Sequence, residues 1–319
     1  MENQIEKILE QYNIFEKTPI VFIRESSDNA VYSIGDKNKH ILRISKRLSL
    51  SDVQFEFEAM EHLSKARVAL PQWVKTKDGN FYASTPEIPT AVLFEFLEGV
   101  HAERTKEIMP TLAQAQEAGK NLAMLHNAGL DFSSESPRSR TIFSELERVI
   151  MNKDIFISQF EGGNEFVREV QEAIVFAKTH FEPKGFIHND YRVGNVFFQK
   201  ENPEKIKGII DFDWGCVGPL SKDFALGVVE WSFVSGASMP DEKVFDAFLN
   251  GYNSVAIHKQ TKGNDLYQWI WFSGLSDTAT WLCDNINTPD FIKRVNRSHM
   301  YQKAQYFKAQ FRIREGNNI

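Results

Sequence analysis

The chain has 319 residues, which is too long for one small core and fits two packed lobes of ordinary size. Hydrophobic residues make up 42% and charged residues 25%, a mixture typical of globular proteins and not of disordered ones. The formal net charge of −6 argues against a nucleic-acid partner, because such partners are bound largely through Lys and Arg contacts to phosphates.

The N-terminal residues 2–13 predict a short amphipathic helix with Ile5, Ile8 and Leu9 on one face. This segment lacks the basic start and apolar run of a signal peptide, and no window approaches the roughly 20 apolar residues that span a bilayer. The two cysteines fit no metal-binding spacing and are expected to be reduced thiols. We therefore expect a cytoplasmic protein without a membrane partner.

The next segment alternates short β-branched runs with turn-prone stretches at 26–29 and 35–38, which indicates an antiparallel meander. A helix at 51–66 follows it, with Ser49 or Ser51 as its cap. The predicted strands lie at 21–24, 30–34, 40–44, 72–75, 79–84 and 91–97.

After Gly99 the pattern becomes mainly helical, so we place the boundary between a mainly β lobe and a mainly α lobe near residues 96–99. The predicted helices lie at 109–128, 144–157 and 164–180 and from residue 223 to the end. Strands return in between, at 185–188, 195–199 and 207–212.

Residues 185–213 carry the pattern that indicates chemistry. His188 and Asp190 are followed by Asn195, five residues after Asp190, and an apolar strand then ends directly in Asp211. Phosphoryl transfer to a weak hydroxyl nucleophile depends on positioning and on neutralising charge at the transferring group. Asp190 can hold and deprotonate the hydroxyl, while Asn195 and Asp211 offer the oxygen ligands that suit Mg²⁺.

The pattern H-x-D-x-x-x-x-N, followed by an apolar strand and I-D-F, resembles the catalytic region of a known family. That family comprises the aminoglycoside phosphotransferases, the choline and methylthioribose kinases and the bacterial homoserine kinases of this fold. The resemblance implies that Asp190 is the catalytic base, that Asn195 and Asp211 hold magnesium, and that His188 braces the loop. Asp213 then either contacts a second magnesium ion or faces solvent.

Three neighbouring features agree with this resemblance. Gly194 is expected to permit a tight return of the loop. The segment GPLSKDFALG resembles the family's turn after the metal-binding Asp, which implies that Asp223 caps the next helix and ties it to the catalytic loop. His126, in the sequence LAMLH, is expected to be a hydrogen-bonded histidine near a helix end.

The N-terminal half resembles the nucleotide-binding half of the family. HILRIS is similar to the strand that carries a phosphate-contacting base, with Arg43 where most relatives have Lys; otherwise Arg43 is an ordinary strand residue with a salt bridge. The resemblance implies that Glu56 pairs with this base, with Glu58 as the second choice. Ser27 and Asn29 lie in the turn ESSDNAVY, which would cover the nucleotide.

LFEFLEG resembles the family's hinge strand, whose backbone groups near Glu95 and Leu97 would bind adenine. The sequence does not distinguish ATP from GTP, because the hinge reads bases through the backbone, and it does not give the oligomeric state. Three tryptophans, Trp269, Trp271 and Trp281, are expected to pack in the core, although an aromatic cage for a cationic substrate is the alternative.

The sequence therefore predicts an α+β, two-lobed, protein-kinase-like fold. Residues 1–97 form the nucleotide-binding lobe, an antiparallel sheet with one helix, and residues 98–319 form the larger, mainly helical lobe for catalysis and substrate binding. The expected activity is ATP- and Mg²⁺-dependent phosphotransfer to a small-molecule hydroxyl. The acceptor is left open between homoserine, choline-like amino alcohols and aminoglycosides, and the acidic balance favours one that carries an amine.

Two other functions on the same fold are a protein kinase and a nucleotide-binding regulator. A protein kinase would carry an activation segment ending in A-P-E, whereas GCVGPLSKDF follows the aspartates here. A further hypothesis is that Glu230, Asp277 and Asp284 form an acidic wall of the substrate site. The alternative is that they lie on solvated helix faces, as charged residues commonly do.

Overall fold

The structure is a computed structural model that describes residues 2–12, 14, 18–36, 39–103, 108–180, 182–234 and 236–316, without the side chains of residues 2 and 312–316. The end of the predicted first helix at residue 13 and part of the predicted turn at 35–38 lie outside these ranges. Within them the chain has the predicted α+β architecture of two lobes.

The N-terminal lobe contains one antiparallel sheet, whose strands follow the order β1-β2-β3-β5-β4 in the described residues. The strands are β1 (Ile20–Glu25), β2 (Asn29–Ile34), β3 (His40–Ser45), β4 (Trp73–Val74) and β5 (Ala91–Glu95). The predicted meander is confirmed. The predicted strand at 79–84 is wrong, because Gly79 turns the chain at φ +84° and only Ala83 bridges to β5.

The sheet is covered on both faces, since successive residues of β5 alternate between two apolar clusters. Ala91 and Leu93 pack with helix α1 (Glu2–Glu10), whereas Val92 and Phe94 pack with the core that includes helix α2 (Leu50–Lys65). This alternation follows from the period of two along a strand and fixes both helices against one sheet.

A capping box starts helix α2. The backbone N–H of Asp52 donates to Ser49 Oγ at 3.2 Å, and the backbone N–H of Ser49 donates to Asp52 Oδ2 at 3.2 Å. Two backbone donors at the helix end are thereby satisfied. Ser49 is therefore the cap, rather than Ser51.

The C-terminal lobe is mainly helical, and two of its boundaries differ from the predicted ones. The helix predicted at 109–128 begins later because Thr111 caps it, and the helix predicted at 144–157 is two helices that meet at Asn152. The helices are α3 (Leu112–Gly129), α4 (Ser144–Met151), α5 (Lys153–Gln159), α6 (Gly163–Thr179), α7 (Leu220–Ser232), α8 (Glu242–Val255), α9 (Asn264–Asn285) and α10 (His299–Gly316).

Helices α3 and α8 pack backbone to backbone through two glycines. A Cβ atom at Gly119 would lie 2.0 Å from the carbonyl oxygen of Phe248, and one at Gly251 would lie 1.9 Å from that of Gln116. Neither position admits a side chain without moving a helix. This contact holds α3, and with it His126 at its end, against the helical core.

Aromatic residues fill much of this core, as expected from 26 phenylalanines. Trp269 and Trp271 are buried there, which confirms core packing for these two, whereas Trp281 lines a cavity. Cys216 and Cys283 are free, buried thiols. Within the described residues, the helices include none of the length and apolar character that crossing a membrane requires.

Short strands in the C-terminal lobe frame the segment with the predicted catalytic residues. Strand β10 was not predicted; it pairs with β7 and so returns the chain to the catalytic loop after Asp211. The strands are β6 (Val100–His101), β7 (Lys184–Ile187), β8 (Val196–Phe198), β9 (Ile206–Ile209) and β10 (Cys216–Pro219), with β6, β8 and β9 in one sheet. The boundary between residues 97 and 98 stays a prediction.

Candidate active site

The catalytic loop, defined here as residues 188–195, runs from β7 to the start of β8 and is braced by His188. The His188 ring is buried; its Nε2 donates to the backbone oxygen of Ile210 at 2.9 Å, and its Nδ1 accepts the backbone N–H of Asp190 at 3.2 Å. Burial lowers the pKa of His188, which agrees with a neutral ring. Both nitrogens are thus engaged within the protein, which fits a bracing role and leaves neither for a substrate.

Asp223 anchors the same loop from helix α7. Its carboxylate accepts the backbone N–H groups of His188 and Asn189, each at 2.8 Å, and His126 Nε2 at 3.0 Å. Burial opposes the charge, but the hydrogen bond from His126 together with the nearby His126, His188 and Lys222 side chains outweighs it and lowers the pKa of Asp223. The predicted tie to the loop is present. The predicted cap is wrong, since the first turn of α7 has no side-chain cap.

His126 is held in turn, because its Nδ1 lies 2.8 Å from the hydroxyl of Tyr252 on α8. The expectation of a hydrogen-bonded histidine near a helix end is confirmed. Asn189, the next residue after His188, has φ +64°, a conformation that side chains rarely adopt unless their surroundings impose it. The chain of contacts from α8 through α3 and α7 supplies that constraint.

Asp190 carries the carboxylate of the loop and is bound at both oxygens. Arg192 Nε donates to Oδ1 at 2.6 Å, and Asn195 Nδ2 donates to Oδ2 at 2.9 Å. Burial raises the pKa of Asp190 to about 6, and Arg192 limits the rise. The sequence did not single out Arg192, although it stands two residues after the predicted base.

Asn195 lies beside the end of β9, because the Ile210 backbone N–H donates to the Asn195 carbonyl at 2.9 Å. Asp211 follows with φ +69°. Its Oδ2 accepts Arg24 Nη2 at 2.9 Å, and burial together with Asp213 raises its pKa to about 6. The structure therefore brings Asp190, Asn195 and Asp211 into one neighbourhood. Their roles stay predictions.

Asp213 is buried, so the alternative that it faces solvent is wrong. Its Oδ2 accepts Asn29 Nδ2 at 2.7 Å and lies 3.4 Å from Arg140 Nη1. Among the residues that the structure describes, no three His, Cys, Asp or Glu side chains are arranged to hold a metal ion by themselves. A metal contact by Asp213 stays a prediction.

Arg43 and Glu56 form a buried ion pair between β3 and α2. Arg43 Nη1 donates to Glu56 Oε1 at 2.7 Å, and Nη2 donates to Oε2 at 2.6 Å. The guanidinium and the carboxylate are therefore joined by two hydrogen bonds. The pairing with Glu56 is the predicted one; Glu58 instead accepts hydroxyls of Ser134 and Ser136. Arg43 Nε is buried without a hydrogen-bond partner.

Two cavities border the predicted catalytic residues: Asp190 lines one of them and Asp211 lines the other. The interlobe cavity has a volume of about 340 Å³, and its walls include Arg43, Glu95, Leu97, Gly194 and Asp211. Gly194 was expected to permit a tight return of the loop, but it has no positive φ, and a Cβ atom added to it would meet nothing within 4 Å, so the return does not depend on glycine. Glycine leaves that wall of the cavity open instead.

The C-lobe cavity is larger, about 690 Å³, and its walls come from the helical lobe alone. They include Asp190, Arg192, Lys222, Asp277 and Asp284. Two of the three proposed acidic wall residues are thus present, but each is in an ion pair with arginine. Sequence reasoning missed Lys222, because its burial is not visible in the motif.

Ser27 and Asn29 reach the C-terminal lobe and are absent from the described wall of the interlobe cavity. Ser27 Oγ donates to Asp284 Oδ2 at 3.1 Å, while Asn29 binds Asp213. The turn between β1 and β2 therefore closes over the carboxylates. A nucleotide contact for either residue stays a prediction.

Known proteins resemble this chain in sequence and in fold. The model of the phosphotransferase enzyme family matches residues 19–258. A homoserine kinase of Brucella anthropi is 28% identical over 315 residues, covering 96% of this chain and 93% of that protein. Among solved structures, an amicoumacin kinase in complex with AMP-PNP, Ca²⁺ and Ami gives a TM-score of 0.73 at 14% identity, covering 96% of this chain and 92% of that one.

A choline kinase from Cryptosporidium parvum gives a TM-score of 0.66 at 15% identity, with 94% of each chain covered. At such identities the structures show the fold alone, which is the predicted protein-kinase-like one. The family model covers well over half of the sequence, including the catalytic loop and the end of β9. The chain therefore belongs to the phosphotransferase enzyme family, and it is a small-molecule phosphotransferase.

Proposed function

We propose that this enzyme transfers the γ-phosphoryl group of ATP to a hydroxyl of a small acceptor, with Asp190 as the catalytic base. One observation supports this most directly: Asp190 lines the C-lobe cavity, Asp211 lines the interlobe cavity, and Asn195 lies between them. A nucleotide in one cavity and an acceptor in the other would meet at the catalytic loop.

The nucleotide would occupy the interlobe cavity. Backbone groups near Glu95 and Leu97 would bind adenine, and Arg43 would contact the phosphates. The buried Nε of Arg43 supports this, because a donor without a partner costs free energy until an acceptor such as a phosphate oxygen reaches it. On this assignment residues 1–97 form the nucleotide-binding lobe and residues 98–319 the catalytic lobe.

Magnesium fits Asn195 and Asp211. Asn195 uses its Nδ2 for Asp190, and no described residue donates to its Oδ1, so this neutral oxygen is left for a metal ion, and the Asp211 carboxylate follows the strand end that bonds to the Asn195 backbone. Carboxylate and amide oxygens suit this hard cation. The Arg24–Asp211 pair has side-chain exposures of 60% and 20%, and such partly exposed pairs contribute about 0–1 kcal/mol, so a divalent ion can replace Arg24. When bound, magnesium would neutralise charge on the phosphates.

The residues of the loop would then perform the proton chemistry. The Asp190 carboxylate would accept the acceptor's hydroxyl proton, while Arg192 and Asn195 hold its two oxygens in position. The braced loop keeps this geometry without adjustment during transfer. Because several relatives are named homoserine kinases, homoserine is the first acceptor to examine, before choline-like amino alcohols and aminoglycosides.

The test is a coupled assay of ADP release with each acceptor, comparing the wild type with Asp190→Ala. Loss of a general base is expected to lower kcat by about 10²–10⁴-fold. Asp131→Ala is a matched control, because the Asp131 side chain is 85% exposed and far in sequence from the loop. Equal turnover by wild type and Asp190→Ala would contradict the assignment, and ATP binding without transfer to any acceptor would favour a regulator.

Removal of the metal gives a second readout. With EDTA in excess, transfer is expected to stop and to return on addition of Mg²⁺. Asn195→Ala and Asp211→Asn should each raise the Mg²⁺ concentration needed for half-maximal activity. A metal requirement unchanged by both substitutions would place the ion elsewhere.

A further inference from the structure

Lys222 is a buried cation in the wall of the C-lobe cavity. It is 3% exposed, and its ammonium donates to Asn189 Oδ1. Among the described residues no carboxylate forms an ion pair with it. A buried ammonium is costly unless an anion and further acceptors accompany it, and here the direct partner is a neutral amide oxygen.

The acidic residues of the same cavity are already in ion pairs with arginines. Arg192 lies 3.0 Å from Asp277 and also binds Asp190, and Arg148 lies 2.8 Å from Asp284 and 2.5 Å from Glu145. Each of these two arginines is thus shared by two carboxylates. Each acidic side chain of the cavity is therefore in direct contact with an arginine, whereas Lys222, on the same wall, is in direct contact with no carboxylate of the described residues.

Asp223, next to Lys222 in sequence, favours the charged form of Lys222 but makes no direct ion pair with it in the described residues, and burial still lowers the pKa of Lys222. Asp223 uses its two oxygens for the backbone of the catalytic loop and for His126. Its charge is therefore distributed over three donors of its own. Arg297 also lines the cavity, and the described part of the chain gives its guanidinium no carboxylate partner.

We propose that Lys222 binds a carboxylate of the acceptor, so that the substrates of this enzyme are small hydroxy acids. This inference rests on the proposed function, since it places the acceptor in the C-lobe cavity with its hydroxyl at Asp190. A single ammonium matches a singly charged group, which favours a carboxylate over a phosphate monoester carrying about two charges. Lys222 binds the residue directly before Asp190, so the carboxylate and the hydroxyl belong to a short molecule.

The experiment compares each acid with an acceptor that differs only in charge. The probes are L-homoserine with L-homoserinamide, 4-hydroxybutyrate with its amide, and 3-aminopropan-1-ol, which is homoserine without its carboxylate. Binding is measured by calorimetry with AMP-PNP and Mg²⁺ present, and turnover by ADP release. We expect at least one acid to bind about 10- to 100-fold more tightly than its amide, the range of a buried hydrogen bond to a charged group.

Lys222→Gln should remove this preference for the acid, and Lys222→Arg should restore part of it. If Lys222 acted only by tuning Asp190, the substitution would lower kcat equally for acids and amides and leave the binding ratio unchanged. That result, or the absence of any acid that binds more tightly than its amide, would overturn the proposal. Efficient phosphorylation of 3-aminopropan-1-ol with no preference for acids would overturn it while the proposed function stands.

Stability gives an independent readout that needs no ligand. Lys222→Met removes a buried charge that has no direct ion pair and is expected to raise the melting temperature of the protein without ligand by a few degrees. Lys303→Met is the matched control, because Lys303 is similarly buried but lies 3.1 Å from Glu230, so its loss should lower the melting temperature. Destabilisation by both substitutions would show that Lys222 is matched within the protein and would contradict the proposal.

Discussion

The Arg43–Glu56 pair allows a quantitative test, because its two side chains are only 6% and 0% exposed and are joined by two hydrogen bonds. Removing one partner leaves the other charge buried and uncompensated, which costs about 3–5 kcal/mol. Total stabilities of domains are about 5–15 kcal/mol, so Arg43→Met or Glu56→Leu should remove a large part of the free energy of unfolding.

The double variant Arg43→Met/Glu56→Leu tests whether the single variants lose stability because one buried charge is left unpaired. Replacing both partners by apolar groups of similar volume is often neutral or stabilising. We therefore expect the double variant to be more stable than either single variant; since each single loss is about 3–5 kcal/mol, the coupling energy should exceed about 3 kcal/mol. All three variants should lose phosphotransfer activity, because each lacks the proposed phosphate contact or its support.

Urea unfolding followed by tryptophan fluorescence measures these stabilities, since Trp231 and Trp269 are fully buried. Arg168→Met is the control, because Arg168 and Glu165 form an Arg–Glu pair with side chains 57% and 47% exposed. That substitution should leave the urea midpoint unchanged. If the losses of the two single variants simply added in the double variant, the pair would not be a coupled buried unit.

Three further predictions concern the catalytic loop and the helical core. Arg192→Met should raise the pKa of Asp190 above its value of about 6, because a cation that favours the ionised form is lost; since the base must be deprotonated, the acidic limb of the kcat/KM profile should move to higher pH. Asp223→Ala frees the loop backbone and should lower kcat by about 10²-fold with nucleotide affinity retained, as measured by calorimetry with AMP-PNP. Gly251→Ala should lower the urea midpoint, because its Cβ would lie 1.9 Å from a backbone oxygen, whereas Gly194→Ala, with nothing within 4 Å, should not change it.

The catalytic loop could be predicted from sequence because its chemistry is local. Asp190, Asn195 and Asp211 lie within one short segment whose strands are marked by apolar runs, so their spacing already implies proximity. The Arg43–Glu56 pairing was predictable for a similar reason: a strand and the helix directly after it bring the two charges together.

The partners of this cluster could not be predicted, because they come from distant segments. Arg24 is 187 residues from Asp211, and Asn29 is 184 residues from Asp213. Hydrophobic periodicity says which face of an element is buried, but it does not say which distant side chain meets it. The break at Asn152 was missed because the apolar pattern continues through both helices.

Charge shows most clearly why whole-chain composition does not describe a site. The net charge of −6 favoured an acceptor with an amine, and Asp277 and Asp284 do line the C-lobe cavity. Yet arginines pair with both, so their charge is not free to select a ligand. On the proposal made above, the ligand is selected instead by a buried charge that has no direct ion pair, the ammonium of Lys222. The preference for an acceptor with an amine stays a prediction, and the pairing of individual groups, which composition does not contain, is what can test it.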